Sequence, residues 1–210
     1  MGIRMNSQNR TSIQSLSYYD FDVRKRLARM PLHGQNRRRY QPPTTGKREA
    51  KAMRRKNREV ADMNEILDIL RCCDTIRLGL TGADGPYVVP VSFGLDLSGE
   101  KPVVYFHCAR KGMKVDLLAS DKRVCIEGDI FLGYEVETHG ITTRYESAIG
   151  FGECEVVEDD AEILKGLQLI CEHCGFEDVP LDTCWGLSAV RIYRITLDAI
   201  TGKRNLPGSE

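Results

Sequence analysis

The stretch Tyr87–Asp129, YVVPVSFGLDLSGEKPVVYFHCARKGMKVDLLASDKRVCIEGD, decides how the rest of the chain is read. Tyr87–Phe93 is apolar and β-branched, the composition of a pleated, half-buried strand. Asp96-Leu97-Ser98-Gly99 supplies turn residues, and Pro102–His107 predicts a second strand. The character then changes within a few residues. Arg110, Lys111, Gly112 and Lys114 set three cations beside one permissive backbone position. The following run, Met113–Ser120, has apolar Val115, Leu117 and Leu118 at helical spacing. Cations and a glycine opening a helix suit an anion, because free N–H groups and the positive end of the macrodipole lie there. A solvated surface turn with lysines would show the same local pattern.

Working outward, Asn57–Cys73 reads as an amphipathic helix, with Met63, Ile66, Leu67 and Leu70 at i, i+3, i+4 and i+7. Asp62 or Asn64 is placed to act near its start. Asp74–Thr81 alternates as a strand, and Gly82–Pro86 is a tight connection to Tyr87. Further strands are predicted at Arg123–Asp129, Ala148–Val157 and Ser188–Leu197, and a helix at Glu158–Cys174 with an apolar face of Ile163, Leu164, Leu167 and Ile170. Many strands, few helices and no βαβ rhythm predict an α+β, mainly β, barrel.

At 210 residues and 41% hydrophobic, the chain can bury one good core. Its zero formal charge conceals an asymmetry. Residues 1–58 hold 16 Lys+Arg against 3 Asp+Glu, and the remainder 14 against 27. The chain is therefore divided into a basic extension without its own fold, residues 1–52, and a domain at 53–205. The extension has Arg37-Arg38-Arg39 and the linker-like Gln41-Pro42-Pro43, but no groove-reading scaffold, so nucleic-acid recognition is not expected. No apolar run is long enough to span a membrane. Without a secretion signal, the eight cysteines are expected to be reduced, in a cytoplasmic setting. Cys171 and Cys174, with Cys184 further on, could offer thiolates to a metal. His173 adjoins Cys174, which hampers joint ligation, and packing around a helix end explains the same residues. No metal site is assigned.

YVVPVSFG, YFHCARKGMK, RVCIEGD and TTRYESAIGFGECEVV, in that order, resemble the nitroimidazole-resistance branch of the pyridoxamine 5′-phosphate oxidase-like proteins. The resemblance spans Met53 to Lys203. It implies an FMN-binding split barrel, a homodimer with the flavin between subunits, and reduction of a small electron-poor, nitroaromatic-like molecule. Electrons would come from a nicotinamide cofactor or a partner reductase. A non-catalytic flavin-storage or sensing protein, or a split barrel holding haem or deazaflavin, remains open at this point.

The resemblance also implies site residues. Lys114 matches a phosphate-binding lysine, with Lys111 and the Gly112 backbone beside it. Met113 stands where the oxidase branch often has arginine, which speaks against a true pyridoxamine phosphate oxidase. Val89, Pro90, Val91 and Ser92 match the strand along the isoalloxazine ring, although VVPVS is also an ordinary edge strand. His107 matches the FHCA histidine and is assigned a catalytic, proton-handling role. A structural histidine at a strand end is the alternative. Arg144 and Tyr145, in the segment before the Ala148 strand, would line the flavin pocket across the interface, or would cap a turn and make dimer contacts. Trp185 is expected in the core or an interface.

Overall fold

An aspartate cap sets where the helical part of the domain begins. The computed structural model describes residues 53–177, 179, 181 and 189–206, so the arm 1–52, Cys184 and Trp185 fall outside the described residues. In chain order the elements are β1 (Glu59–Val60), α1 (Met63–Cys72), β2 (Ile76–Gly82), β3 (Gly85–Val91), β4 (Gly94–Asp96), β5 (Val103–Ala109), α2 (Met113–Ser120), β6 (Arg123–Glu137), β7 (Gly140–Val156), α3 (Asp160–His173) and β8 (Val190–Asn205). The Asp62 carboxylate accepts from the N–H of Asn64 at 2.7 Å and of Glu65 at 3.3 Å, satisfying two donors that an α-helix leaves orphaned. Helix α1 therefore starts at Met63, not Asn57 as the periodicity suggested. The residues before it form a 3₁₀ turn, Lys56–Arg58, and then pair with β8 at Glu59↔Lys203 and Val60↔Gly202.

The strands form an antiparallel sheet in the order β3-β2-β6-β7-β8-β5-β4. The two ends of this path, β3 and β4, are consecutive in sequence and joined only by Ser92 and Phe93. Such a link spans at most about 11 Å. A flat sheet would hold its outer strands far further apart, at nearly 5 Å per strand. The sheet must therefore curl until its edges almost meet, leaving a seam: a split barrel, the predicted α+β fold. Phe93 is fully buried in the core at that seam, with Leu67, Leu70, Ile76, Leu78, Phe106, Ile126 and Ile195. Helix α1 supplies Ile66, Leu67 and Leu70 to this cluster. Helix α3 packs Leu167 and Ile170 over β4 and β5 in a second cluster with Tyr105 and Ile192.

Three predicted segments are shorter than the strands they belong to. β6 continues past Asp129 to Glu137, β7 begins at Gly140 and not at Ala148, and β8 continues past Leu197 to Asn205. The extensions of β6 and β7 make a long hairpin that exposes Phe131, Tyr134, Val136 and Ile141. A bulge at Leu132–Gly133, with Gly133 at φ 124°, brings Phe131 and Tyr134 onto one face, their rings 5.1 Å apart. Of β4, only Asp96 falls in the predicted turn; Gly94–Asp96 pairs with β5, and the Asp96 carboxylate then accepts from the Ser98 N–H and hydroxyl. Leu164, expected on the apolar face of α3, is exposed.

Gly94 tests the seam. A Cβ there would lie 2.5 Å from the Leu169 carbonyl carbon and 2.6 Å from the Ile170 nitrogen, both backbone atoms of α3. Gly94→Ala must push α3 off the β4 edge, at a cost of about 2 kcal/mol. The expected outcome is a fall in Tm of roughly 4–8 °C in a thermal melt, and an unchanged Tm would show that α3 does not hold the seam.

Candidate functional site

Strand β5 delivers the chain to Ala109, and α2 begins four residues later. The turn between them depends on Gly112, whose φ of 130° and ψ of 167° belong to a region that essentially only glycine occupies. A Cβ at this position would meet nothing within 4 Å, so the requirement is conformational and not steric. The Gly112 carbonyl accepts from the N–H of Val115 at 2.8 Å and of Asp116 at 3.1 Å. No side chain caps α2, which leaves the N–H groups of Met113 and Lys114 without an intrahelical acceptor. Lys111 is exposed and Lys114 half-buried, and among the described residues neither is in an ion pair with a carboxylate. The Lys114 ammonium lies 5.6 Å from the centre of the Phe106 ring.

His107 stands two residues before the end of β5, on the strand that leads into this turn. Its side chain reaches solvent, yet burial by surrounding atoms, and then the positive charge of Lys114, hold its pKa below the usual histidine value. Near neutral pH the ring is neutral, with one nitrogen to donate and one to accept. The structure thus brings His107, Lys111, Gly112 and Lys114 together. It adds a cation that sequence reasoning missed. Arg191 pairs in register with Cys108, beside the His107↔Ile192 pair. Its positive charge lies near Tyr193, whose ring stacks on Phe106 at 5.1 Å and 7°. Arg191 lies in a different predicted strand, far along the chain, and only the β5–β8 register brings it here.

Val89, Pro90 and Val91 lie on β3, and Ser92 follows it. Val91 is buried and Val89 half-buried against the core, whereas Pro90 and Ser92 are exposed. β3 is an edge strand, paired with β2 alone, which is where a proline is tolerated. Helix α2 packs on the same β2, with Leu117 beside Gly82. The edge and the cationic turn therefore flank one strand.

Arg144 and Tyr145 lie elsewhere in the chain. β8 extends from Val190, opposite Ala109, to Asn205, opposite Tyr145, which is roughly 50 Å of strand path at 3.3 Å per residue. Within one chain they do not join the turn. Arg144 is buried, and its guanidinium donates to Glu135 at 2.6 Å, Glu137 at 2.9 Å, Asn205 Oδ1 at 3.1 Å and the Leu206 carbonyl at 3.1 Å. Those bonds tie the β6–β7 hairpin to the end of β8. Tyr145 is half-buried, with the Lys203 ammonium 5.9 Å from its ring centre.

Cys73 and Cys154 read as packing. Burial pushes the thiols of Cys73 and Cys154 up to about 12, far from the thiolate range. His173 donates from Nε2 to the Cys73 carbonyl at 2.8 Å and packs its ring 4.1 Å from that of Phe93. Among the described residues no group of three or more His, Cys, Asp or Glu is arranged to hold a metal.

If the Lys114 charge depresses His107, removing it must raise the histidine pKa. Lys114→Ala is expected to move the imidazole titration upward, followed by the ring proton shifts in NMR from pH 4 to 9, without restoring the full solution value because burial persists. A midpoint that does not move would place the lysine charge too far away to matter.

Residues 62–204 match the model of the pyridoxamine 5′-phosphate oxidase family. Among solved structures, a candidate 5-nitroimidazole antibiotic resistance protein from Bacteroides thetaiotaomicron is 28% identical, with a TM-score of 0.58 over 69% of this chain and 85% of that one. The flavocytochrome Anf3 from Azotobacter vinelandii, at 16% identity, aligns with a TM-score of 0.59 over 73% of this chain and 72% of that one. An FAD- and heme-binding protein from Mycobacterium smegmatis, at 18% identity, gives 0.59 over 70% and 73%. These last two establish likeness of fold alone. No curated protein sequence matches the chain. The family match covers about two thirds of the sequence and coincides with the barrel, and the chain belongs to the pyridoxamine 5′-phosphate oxidase family.

Proposed function

We propose that the protein is an FMN-binding oxidoreductase, acting as a homodimer, that reduces a small electron-poor substrate of the nitroaromatic kind. The observation that carries this reading is the cationic turn at Gly112. Lys111 and Lys114 lack carboxylate partners among the described residues, two helix N–H groups are free of intrahelical acceptors, and a neutral histidine stands beside them. A phosphate monoester fits that donor set. The exposed edge of β3 leaves one side of a backbone free to hydrogen-bond a planar heterocycle, and Ser92 adds a hydroxyl. Flavin, when bound, supplies the electron transfer that no side chain here can provide. His107 would hold or move a proton at one ring nitrogen. The candidate nitroimidazole-resistance protein, at 28% identity, supports the substrate class. A nicotinamide cofactor or a reductase would supply the electrons.

The dimer is supported by the hairpin. Phe131 is 56%, Tyr134 74%, Val136 82% and Ile141 74% exposed, an apolar stripe that a lone chain would leave in water. Val136 and Ile141 face each other across the two strands. The described helices include none long and apolar enough to cross a membrane, so a bilayer-spanning helix does not account for this surface.

The cofactor prediction is read by titrating the protein with FMN, FAD and riboflavin and following flavin absorbance and fluorescence. Lys114→Ala is expected to weaken FMN by roughly 10- to 100-fold, the worth of a charge-assisted hydrogen bond, and to leave riboflavin nearly unchanged. A protein that ignores all three flavins defeats the reading. A Soret band in the purified protein would redirect it to haem. The dimer prediction is separate. Val136→Asp/Ile141→Asp should convert a dimer to a monomer by light scattering after size exclusion, and a wild-type monomer at 100 µM (on the order of a weak interface's range) would reject it.

A further inference from the structure

Where β5 runs into the Gly112 turn, four side chains share one face of the sheet. Phe106 and Cys108 alternate onto it from β5, and Tyr193 and Arg191 from β8, with Phe106 opposite Tyr193 and Cys108 opposite Arg191. His107 and Ile192, between them, fall on the other face. Lys114 joins the group from α2, its ammonium 5.6 Å from the centre of the Phe106 ring. We propose that Arg191 is a binding residue of the cationic turn, which clamps with Lys114 the doubly charged phosphate of a phosphate monoester and so selects FMN over a flavin whose phosphate is esterified further. The proposal rests on the flavin reading above for the body of the ligand, and adds the residue that decides which flavin is taken.

This group of side chains holds positive charge with nothing to balance it. Among the described residues neither Arg191 nor Lys114 is in an ion pair with a carboxylate. Asp116, the acidic residue in the first turn of α2, pairs with neither. Cys108 does not supply an anion either. Burial raises its thiol above the usual value, and the charges of Lys114 and Arg191 only oppose that shift. The Tyr193 phenol is likewise raised, first by burial. Both cations are half-buried, so part of their hydration is gone, and ring faces replace water poorly. Two like charges beside one rigid floor repel until an anion joins them.

A different part of the fold fixes each donor. Phe106 and Tyr193 are buried and stacked at 5.1 Å and 7°, which makes the floor stiff. The β5–β8 register sets Arg191 two residues from Tyr193, and the turn at Gly112 sets Lys114. The guanidinium offers a planar fork that can take two oxygens of one phosphate, whereas the ammonium is a point charge. The N–H groups of Met113 and Lys114 add donors without an intrahelical acceptor. That set suits a monoester, whose phosphate carries about two negative charges at neutral pH and three acceptor oxygens. A diester has one of those oxygens esterified and keeps a single charge. The second cation is therefore worth more to FMN than to FAD, and worth nothing to riboflavin.

The test is a calorimetric titration of the wild-type, Arg191→Gln and Arg191→Lys proteins with FMN, FAD, riboflavin and phenyl phosphate, the last a phosphate monoester without a flavin. Arg191→Gln is expected to weaken FMN and phenyl phosphate by about tenfold or more, FAD by about threefold or less, and riboflavin by less than about twofold, as the loss of one charge-assisted contact requires. Arg191→Lys keeps the charge and loses the fork, so it is expected to recover part of the FMN affinity. Riboflavin weakened as much as FMN in both variants marks a structural role and overturns the proposal. So does FAD weakened as severely as FMN, or no loss of FMN and phenyl phosphate in Arg191→Gln. FMN affinity that falls in Lys114→Ala but not in Arg191→Gln overturns the clamp and leaves the flavin reading standing. Phenyl phosphate held in an Arg191-dependent way by a protein that ignores every flavin keeps the clamp and rejects the flavin reading. A wild-type protein that binds none of the four probes overturns both.

Discussion

Two residues, Ser92 and Phe93, carry the chain from one edge of the sheet to the other, and the rest of the architecture follows from that short span. With β3 and β4 at opposite ends of a seven-strand path, the sheet has no choice but to close on itself. Closure is secured by what surrounds the link. Phe93 contributes a wholly buried ring, worth about 2–3 kcal/mol on burial. His173, at the end of α3, packs on that ring and bonds back to the Cys73 carbonyl after α1. The end of α1, the link and the end of α3 are thus fastened at one place. Gly94 lets the α3 backbone approach the sheet where any side chain would hold it away.

Curling also decides what the edge strands are for. β3 and β4 are kept apart as a seam instead of being sealed by a ladder, so an edge of β3 remains a row of unmet backbone groups. Natural proteins usually blunt such an edge, and Pro90 partly does so here. What remains lies beside the strand on which α2 rests. The cationic turn is coupled to the core through Phe106, which is buried under Lys114 and stacked on Tyr193. That stack lies beside two cations, Lys114 on helix α2 and Arg191 on strand β8, which the sequence separates widely. Positive charge on a rigid floor is stronger than the same charge on a mobile loop, because little ordering cost remains when a ligand arrives.

The sequence was most legible where one face is buried and a local signal marks the end. The α2 span was read correctly because its glycine and its apolar spacing agree, and Asp62, with Asn64 as the alternative, was placed near the start of α1 because a capping side chain is a local device. The helix start was nonetheless placed six residues early, since a short strand paired to β8 leaves no periodic trace. The hairpin was only half visible. Its outer part, Tyr134-Glu135-Val136-Glu137, alternates apolar and charged residues, a strand signal that the sequence reading left unused. Arg191 was invisible for a different reason: its place opposite Cys108, beside the Phe106–Tyr193 stack, is a fact of register, and register is not written in either strand alone.

Arg144 shows how a correct emphasis on a residue can carry the wrong local geometry. An arginine, a phenol and two hydroxyls in TTRYES read naturally as a ligand clamp ahead of a strand, but the segment is strand already, and pairing decides which way each residue faces. Alternation sends Arg144 inward to Glu135, Glu137 and Asn205, while Thr143 and Tyr145 fall on the other face. A buried guanidinium is tolerable only when its donors are met, and four bonds meet them here. Having met them, it has little left to offer a ligand directly. Its influence passes instead through Asn205 to Thr142. The side chain that looks most like a recognition element is therefore the strut of the hairpin.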